Sequence, residues 1–210
     1  MRSASKKTFF GNYIFEVCDN VYEPAEDSFL FSENLHVKAG SSVLDMGTGT
    51  GILGILAAKQ ASDVVALDIN PYAVRCAKRN AQQNASKNIS FIQGDLFSPL
   101  NKAAKFDLIF FNAPYLPSEQ IEDESWLGRA WAGGATGREV IDRFISAAPK
   151  HLHDKGEILM MQSNLANLEQ TIDKFCTLGM HTEIVKQMHL PFFENLLLLK
   201  AKFPAASETR

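Results

Sequence analysis

Short apolar runs alternate along the chain with longer segments of mixed polarity. The apolar runs have the length and the β-branched and aromatic content typical of buried strands, and they lie at 42–46, 64–68, 89–93, 106–111 and 157–162. The intervening segments are predicted to be helices, and they cover 52–60, 71–83, 137–150 and 165–178. This alternation predicts an α/β protein with a doubly wound, parallel sheet and right-handed crossovers.

Two further strands are predicted near the end of the chain, at 181–188 and 195–202. No helix is predicted between them, so we expect them to add an antiparallel edge to the sheet. The run of four leucines at 196–199 is expected to be a buried strand rather than an exposed surface. The predicted fold is therefore a seven-stranded, mostly parallel sheet with helices on both faces and an antiparallel edge strand.

The length of 210 residues predicts a single domain over 1–210. Residues 1–20 are rich in aromatic side chains and are expected to form an N-terminal extension, a strand or hairpin that packs on the core. Residues 116–136 form a long segment without a periodic pattern, which predicts a flap over a functional site. Residues 204–210 are predicted to be a polar tail.

Composition excludes several classes of function. The net charge is −3 and the pI is about 6.0, so the basic surface of a typical nucleic-acid-binding protein is missing. The three cysteines are far apart and show no CxxC spacing, which indicates a reducing compartment and predicts no metal site. There is no apolar stretch of membrane-spanning length and no signal-peptide pattern, so we expect a cytoplasmic protein.

The run 106–111 is followed directly by Asn112, Ala113, Pro114 and Tyr115. Proline cannot donate a hydrogen bond to a sheet ladder, so the strand must end here and the chain must turn outward. Asn112 and Tyr115 should then lie at the carboxyl end of a central strand, where open α/β sheets bind ligands. An amide group beside an aromatic ring is suited to holding a planar –NH2 group, either a side-chain amide or an exocyclic base amine.

The segment 45–54 is a glycine-rich turn that fits two motifs. Gly49, Gly51 and Gly54 match the dinucleotide-binding pattern of dehydrogenases. Asp45, Gly47, Gly49 and Gly51 match the turn of class I S-adenosylmethionine-dependent methyltransferases. A carboxylate before the turn would repel a pyrophosphate but can bind an ammonium group, which favours the second motif.

Acidic residues end three successive predicted strands, at Asp45, Asp68 and Asp95. Asp68 can bind a ribose diol in either motif. Asp95 with Leu96 offers an adenine an acceptor for its amino group and an apolar contact for its ring. Helix capping would account for any one of these acids but not easily for all three.

Upstream of the turn, the sequence 21–28 reads Val-Tyr-Glu-Pro-Ala-Glu-Asp-Ser. Pro24 followed by Glu26 and Asp27 is typical of a helix N-terminus, where acids complement the helix dipole. The alternative is that these acids lie over a cofactor pocket.

With these motifs in order, the chain resembles the HemK-type methyltransferases, which methylate the side-chain amide nitrogen of glutamine in translation termination factors. It is similar to the short archaeal and eukaryotic branch, which lacks the extra N-terminal domain of bacterial members. The resemblance runs from about residue 20 to at least residue 144. It rests on the segments 21–28, 45–51, 68–71, 112–115, 130–134 and 137–140.

The resemblance implies a class I, Rossmann-like methyltransferase fold and S-adenosylmethionine as cofactor. It assigns cofactor contacts to Ser28, Asp45, Gly47, Gly49, Asp68, Asp95, Leu96 and Asn112, and catalysis to Asn112, Pro114 and Tyr115. Asn112 would accept a hydrogen bond from the substrate –NH2 group, the Ala113 carbonyl would accept another, and Tyr115 would stack on the substrate amide. The implied partners are a class I peptide chain release factor, as substrate at its Gly-Gly-Gln motif, and a small zinc-containing activator protein.

Two residues depart from the pattern of this family. Ala113 replaces a proline, which keeps the carbonyl but loosens the backbone, and Ser28 replaces a threonine and keeps the hydroxyl. The alternative enzyme is an N-methyltransferase for adenine or guanine in nucleic acid, disfavoured by the missing basic surface. A non-catalytic cofactor-binding protein is the alternative from another class, and a nicotinamide dehydrogenase is more distant.

Overall fold

The computed structural model of the chain describes residues 6–119 and 125–204. Its strands are β1 (Lys6–Phe10), β2 (Tyr13–Val17), β3 (Ser42–Met46), β4 (Asp63–Asp68), β5 (Ile89–Gln93), β6 (Phe106–Asn112), β7 (Leu152–Ser163), β8 (His181–His189) and β9 (Asn195–Lys202). Its α-helices are α1 (Glu26–Glu33), α2 (Ile52–Ala57), α3 (Pro71–Gln83), α4 (Glu139–Ala147) and α5 (Leu168–Thr177).

The main sheet has seven strands in the order β5-β4-β3-β6-β7-β9-β8. The first five strands in this order pair in parallel, and β9 pairs antiparallel with both of its neighbours. The predicted mostly parallel, seven-stranded fold is confirmed. The reversed strand, β9, lies one position inside the edge, because the chain crosses past β7 to form β8 before it returns.

The strand β6 joins the two halves of the core. Its successive side chains face opposite sides of the sheet, so Phe110 packs edge-on against Phe31 of α1, and Phe111 packs against Phe144 of α4. All four rings are buried, at 3% exposure or less. This two-sided packing fixes the carboxyl end of β6, which carries the predicted site. The predicted burial of 196–199 is also confirmed, since these leucines in β9 are at most 3% exposed.

The hairpin formed by β1 and β2 lies outside the main sheet and packs on α3. The side chain of Asn84 accepts from the Ile14 N–H and donates to its carbonyl, at 3.1 and 2.8 Å. Asn80 makes the same pair of bonds with the backbone of Glu16, at 2.9 Å each. These four bonds satisfy the outer edge of β2, where a further strand would otherwise pair.

The structure corrects the interpretation of the cysteines. Cys18, which follows β2, forms a disulfide with Cys76 of α3, whereas Cys176 is free and exposed. The two paired residues are 58 positions apart in the sequence. They meet because the hairpin folds back over α3, a long-range contact that spacing alone does not reveal.

Other boundaries differ by a few residues from the prediction. The strand β7 begins at Leu152 rather than at 157, because its first residue already pairs with Phe106 across a register shift. The residues 120–124 of the predicted flap and 205–210 of the predicted tail lie outside the described residues. Within the described ranges, every helix is too short or too polar to cross a membrane.

Candidate functional site

The carboxyl ends of β3, β4, β5 and β6 open into one large cavity of about 720 Å³, within the size range of small-molecule sites. Most of the residues predicted to act on a ligand line this cavity: Ser28, Gly47, Gly49, Asp68, Asp95, Leu96, Asn112, Ala113, Pro114 and Tyr115. The sheet topology thus brings together side chains from five separate segments. Asp45 is the one predicted site residue that does not line the cavity.

Asp45 lies behind the glycine turn rather than beside the cavity. Its Oδ2 accepts from the Thr48 hydroxyl at 2.6 Å and from the Gly54 N–H at 3.0 Å, and it is 1% exposed. Burial raises the pKa of Asp45 to about 7, with a further contribution from the charge of Asp68 and with both hydrogen bonds opposing the shift. The resemblance assigns Asp45 a contact with the cofactor, but in the structure its carboxylate faces the turn instead of the cavity. This geometry supports a role in shaping the turn.

The turn itself needs glycine at its crowded points. Gly47 has a φ of +68°, and a Cβ on it would lie 2.9 Å from the ring of Phe111. Gly51 has a φ of +86°, and a Cβ on it would lie 3.0 Å from the Cβ of Ala77 in α3. A larger residue at either position would push the turn out of the space between β6 and α3.

Asp68, at the end of β4, presents its carboxylate to the cavity and is only partly buried. Its two oxygens accept from the backbone N–H groups of Gly49 and Asn70, both at 2.9 Å. Burial nevertheless raises the pKa of Asp68 to about 6. A carboxylate oriented by two backbone donors, with remaining acceptor capacity, suits a vicinal diol.

Asp95 and Leu96 form another part of the wall. The Asp95 carboxylate pairs with Arg143 of α4 at 2.5 Å, and both side chains remain about half exposed. Leu96 has a φ of +46°, a conformation that is uncommon for a residue with a bulky side chain. This turn places the apolar side chain of Leu96 beside the Asp95 carboxylate, which is paired with Arg143 but still half exposed. The sequence predicts an adenine at this place.

Asn112 is oriented by α1. Its Nδ2 donates to Asp27 Oδ2 at 3.0 Å and to the Ser28 hydroxyl at 3.4 Å. Because a carboxylate oxygen requires a donor, the amide must point its nitrogen at Asp27. Its Oδ1 is buried and has no hydrogen-bond partner within the described ranges 6–119 and 125–204. A buried acceptor without a partner is costly in a folded protein, so its presence in a cavity wall points to a ligand donor.

Tyr115 stands beside the amide. Its hydroxyl is 3.5 Å from Asp27 Oδ2, and burial with the nearby Asp27 charge raises the pKa of Tyr115 far above its ordinary value. The phenol therefore stays protonated at any physiological pH. Ala113 and Pro114 are buried between the two polar side chains, so the turn is packed firmly against the core.

Asp27 is the residue that sequence reasoning did not assign to the site. It is 7% exposed and accepts from Asn112, from Ser28 through both its N–H and its hydroxyl, and from Tyr22 at 3.3 Å. The acidic pair at 26–27 is the signal in the sequence that could have indicated this residue. It can be interpreted either as the start of a helix or as part of a pocket, and Asp27 takes both positions. Asp27 lies in the first turn of α1 and also faces the cavity.

The described part of the predicted flap packs back on the turn after β6. Leu116 donates to the Trp131 carbonyl at 3.0 Å and accepts from the Gly133 N–H at 2.8 Å. Gly137 has a φ of +71°, and a Cβ on it would lie 2.3 Å from the Tyr115 carbonyl oxygen. Trp126 and Trp131 line the cavity from this side. The segment 128–137 therefore forms part of the wall of the site.

The residues present fit S-adenosylmethionine. Asp68 offers acceptors for a ribose diol, and the turn at 94–96 offers an apolar wall for a purine ring. The glycine turn allows the backbone to approach the ligand closely. Asn112 Oδ1 and the hydroxyl oxygen of Thr50, another cavity residue, are both buried and have no hydrogen-bond partner among the described residues. They provide unused hydrogen-bonding capacity for a molecule bound in the cavity.

Comparisons with known proteins agree with the geometry. A family model described as a methyltransferase domain matches residues 37–195. A protein of Methanocaldococcus jannaschii provisionally named a protein N5-glutamine methyltransferase is 45% identical over 183 residues, covering 86% of this chain and 91% of the relative. Methyltransferase HEMK2 of Mus musculus is 32% identical over 173 residues, covering 77% of this chain and 80% of the relative.

A solved structure shows the same architecture. The E. cuniculi Mtq2-Trm112 complex, described as responsible for methylating the translation termination factor eRF1, matches with a TM-score of 0.70 and 25% identity. The match covers 88% of this chain and 99% of that chain. The family model alone spans β3 to β8 and the site residues from Asp45 to Tyr115.

Proposed function

The chain belongs to the HemK-type, S-adenosylmethionine-dependent methyltransferases, and we propose that its acceptor is the side-chain amide nitrogen of a glutamine in a protein. The substrate we propose is a class I peptide chain release factor, methylated at its Gly-Gly-Gln motif. The name of the M. jannaschii relative supports a protein glutamine as acceptor, and the description of the E. cuniculi complex supports a translation termination factor as substrate.

The observation that carries the proposal is the Oδ1 of Asn112, which has no partner in the part of the chain that the structure describes. This acceptor is buried in the cavity wall, while the nitrogen of the same amide is held by Asp27 and Ser28. A planar –NH2 group is the donor that fits it, since one N–H can reach Oδ1 while the nitrogen stays free on its face. We assign the second N–H to the carbonyl of Ala113.

An amide nitrogen is a weak nucleophile because its lone pair is delocalised into the carbonyl group. Two acceptors on its hydrogens draw electron density toward nitrogen and fix the plane of the amide. The ring of Tyr115, which its own hydroxyl contact to Asp27 helps to hold, restricts that plane from one side. The chain thus contributes position and preorganised polarity rather than a general base.

S-adenosylmethionine, when bound, supplies a methyl group on a cationic sulfonium, so that a good leaving group is already present. We assign its ribose to Asp68, its adenine to Asp95 and Leu96, and its amino-acid end to Ser28 and the glycine turn at 47–49. As the acceptor nitrogen gains the methyl group it must lose a proton, which passes to water at the mouth of the cavity.

Two further proposals concern partners and location. The Mtq2-Trm112 complex supports a small partner protein for this chain as well, and we propose the zinc-containing activator that the family resemblance implies. A protein that methylates a translation factor would act in the cytoplasm. The disulfide between Cys18 and Cys76 is unusual for that compartment, outside the hyperthermophilic organisms in which intracellular disulfides are common.

The test is transfer of labelled methyl from S-adenosylmethionine to a purified class I release factor, alone and with its GTPase partner. We expect label on the release factor, and we expect it to disappear when the glutamine of the Gly-Gly-Gln motif is substituted. Label that survives this substitution would contradict the assigned acceptor. Label on RNA or DNA instead of protein would favour the exocyclic-amine alternative.

A further inference from the structure

Two phenylalanines form the most exposed apolar feature of the described residues. Phe192 and Phe193 lie in the turn between β8 and β9 and are 96% and 94% exposed. Leu165, in the short turn after β7, is 50% exposed. The Asn164 side chain donates to the Phe193 carbonyl at 3.2 Å and accepts from the Asn195 N–H at 2.7 Å, so the two turns are joined. We call Leu165, Phe192 and Phe193 the aromatic rim.

The backbone conformation of this turn gives no reason for phenylalanine at positions 192 and 193. Phe192 and Phe193 have φ values of +61° and +63°, the left-handed region in which glycine and asparagine are favoured. Bulky residues are disfavoured in this conformation. The Leu190 N–H donates to the Glu194 carbonyl at 2.8 Å and closes the turn without help from either ring. The two phenylalanines thus adopt an unfavourable backbone conformation although their side chains are almost fully exposed.

The sheet register places the aromatic rim beside the acceptor site. Asn112 is level with Met161 in β7, and Met161 is level with Leu198 in β9. The turn before Asn195 is therefore two strands away, about 10 Å, and about 10 Å farther along the strand direction. The charge of Glu194 is close enough to contribute to the raised pKa of Tyr115. None of the three rim residues lines the cavity, so the rim lies outside it, on the side where the register places the turn.

We propose that the aromatic rim is a docking surface for the protein substrate, which binds it through apolar side chains next to the segment that carries the acceptor glutamine. This inference rests on the proposed function. A cofactor does not reach the rim, and a free glutamine is too small to span the cavity and the rim together. A folded protein that inserts a loop into the cavity must also contact the surface beside it, where the exposed aromatic rim lies. Aromatic residues of this kind carry a large part of the binding energy in many protein interfaces.

The experiment compares steady-state methylation of the release factor by the full chain and by the double variant Phe192→Ala/Phe193→Ala. We expect KM for the release factor to rise about tenfold or more, with kcat at saturating substrate and the affinity for S-adenosylmethionine unchanged within about twofold. The variant Phe192→Leu/Phe193→Leu, which keeps apolar surface, should recover most of the loss. Phe9→Ala is the matched control, because Phe9 is also exposed, at 63%, on the N-terminal hairpin.

Three outcomes of these measurements would overturn the docking proposal. An unchanged KM in the alanine variant, with the wild type active, would overturn the docking proposal and leave the proposed function intact. A wild-type chain that binds S-adenosylmethionine but does not label the release factor would overturn both. If sedimentation shows that the wild type self-associates without substrate and the alanine variant does not, the rim is an interface between copies of this chain and the proposal fails.

Discussion

The amide of Asn112 can serve a substrate only because Asp27 decides which end of it faces the cavity. The two atoms of an asparagine amide are similar in size, and without a fixed partner the group rotates freely. Asp27 accepts from the nitrogen at 3.0 Å, and the oxygen is left to the ligand. One carboxylate on α1 thus gives direction to a side chain on β6.

Substituting Asn112 with alanine tests this role directly. The change removes the acceptor for the substrate N–H, so we expect kcat to fall about 100- to 1,000-fold, as when a preorganised group is removed from other active sites. The dissociation constant for S-adenosylmethionine, measured by calorimetry, should stay within a few-fold. Asn101→Ala, at an exposed asparagine outside the cavity, is the control. A retained rate in Asn112→Ala would refute the role.

The two parts of the Tyr115 side chain can be separated by substitution. Tyr115→Phe keeps the ring and loses the hydroxyl contact of 3.5 Å to Asp27, so we expect kcat within about threefold of wild type. Tyr115→Ala removes the ring, and kcat should fall about tenfold or more. If the two variants lost activity equally, the hydroxyl rather than the ring would be the essential part.

At the scale of elements, the site depends on how the segment 128–137 meets the turn after β6. Gly137 leaves no room for a side chain at this contact, since a Cβ on it would lie 2.3 Å from the Tyr115 carbonyl oxygen. We expect Gly137→Ala to lower the free energy of unfolding by about 2 kcal/mol or more, through the left-handed φ and the steric clash together. Methyl transfer should fall as well, because the clash displaces Tyr115.

Gly40 provides the comparison for that substitution. It has a φ of +79° but open space around the position of a Cβ. Gly40→Ala should therefore cost only about 1 kcal/mol and leave activity unchanged. Denaturant unfolding of both variants measures the difference, and equal losses would mean that the contact with Tyr115 contributes nothing.

The disulfide between Cys18 and Cys76 ties the N-terminal segment to α3, and its effect can also be measured. Closing a loop over 58 positions restricts the unfolded chain, so Cys18→Ser should lower the free energy of unfolding by about 2–4 kcal/mol in oxidising buffer. In reducing buffer the difference should largely disappear. Cys176→Ser, at the free and exposed cysteine, should have little effect in either buffer. If Cys18→Ser lost as much stability in reducing buffer, the effect would come from packing of the Cys18 side chain rather than from the disulfide bond.

At the scale of the whole molecule, the buried carboxylate Asp45 makes stability depend on pH. Its folded-state pKa of about 7 lies above its ordinary value of 3.8, so the folded protein binds the proton more tightly than the unfolded chain. The stability linked to this proton is fully present below pH 4 and is lost as the pH rises to about 7. The pKa of Asp68, raised to about 6, acts in the same direction.

Asp45→Asn isolates this contribution. The amide keeps an acceptor for Thr48 and Gly54 but does not ionise, so the decline between pH 4 and pH 7 should be shallower by a few kcal/mol than in the wild type. Thermal or denaturant unfolding at several pH values gives the difference, in which the other titrating groups cancel. Parallel pH profiles for the two proteins would mean that Asp45 does not titrate in this range.

The sequence by itself determined the order of the elements and the positions of the chemistry. Apolar runs and helical spacing are local properties, so the five parallel strands and the final pair could be predicted from them. Turn chemistry is local too, and it placed Asn112, Asp68 and the glycine turn at strand ends. Because the carboxyl ends of parallel strands share one edge, these residues could be expected in one cavity.

Only the tertiary structure decided contacts between segments that are distant in sequence. The position of β9 inside the edge, the pairing of Cys18 with Cys76 and the bond from Asn112 to Asp27 across 85 positions are examples. The orientation of Asp45 was also decided by the tertiary structure. Its position before the glycine turn fits a ligand contact, but α2 packs so that the carboxylate accepts from the Gly54 N–H. Local preference sets what each segment becomes, whereas the choice among possible partners is made by packing of the whole chain.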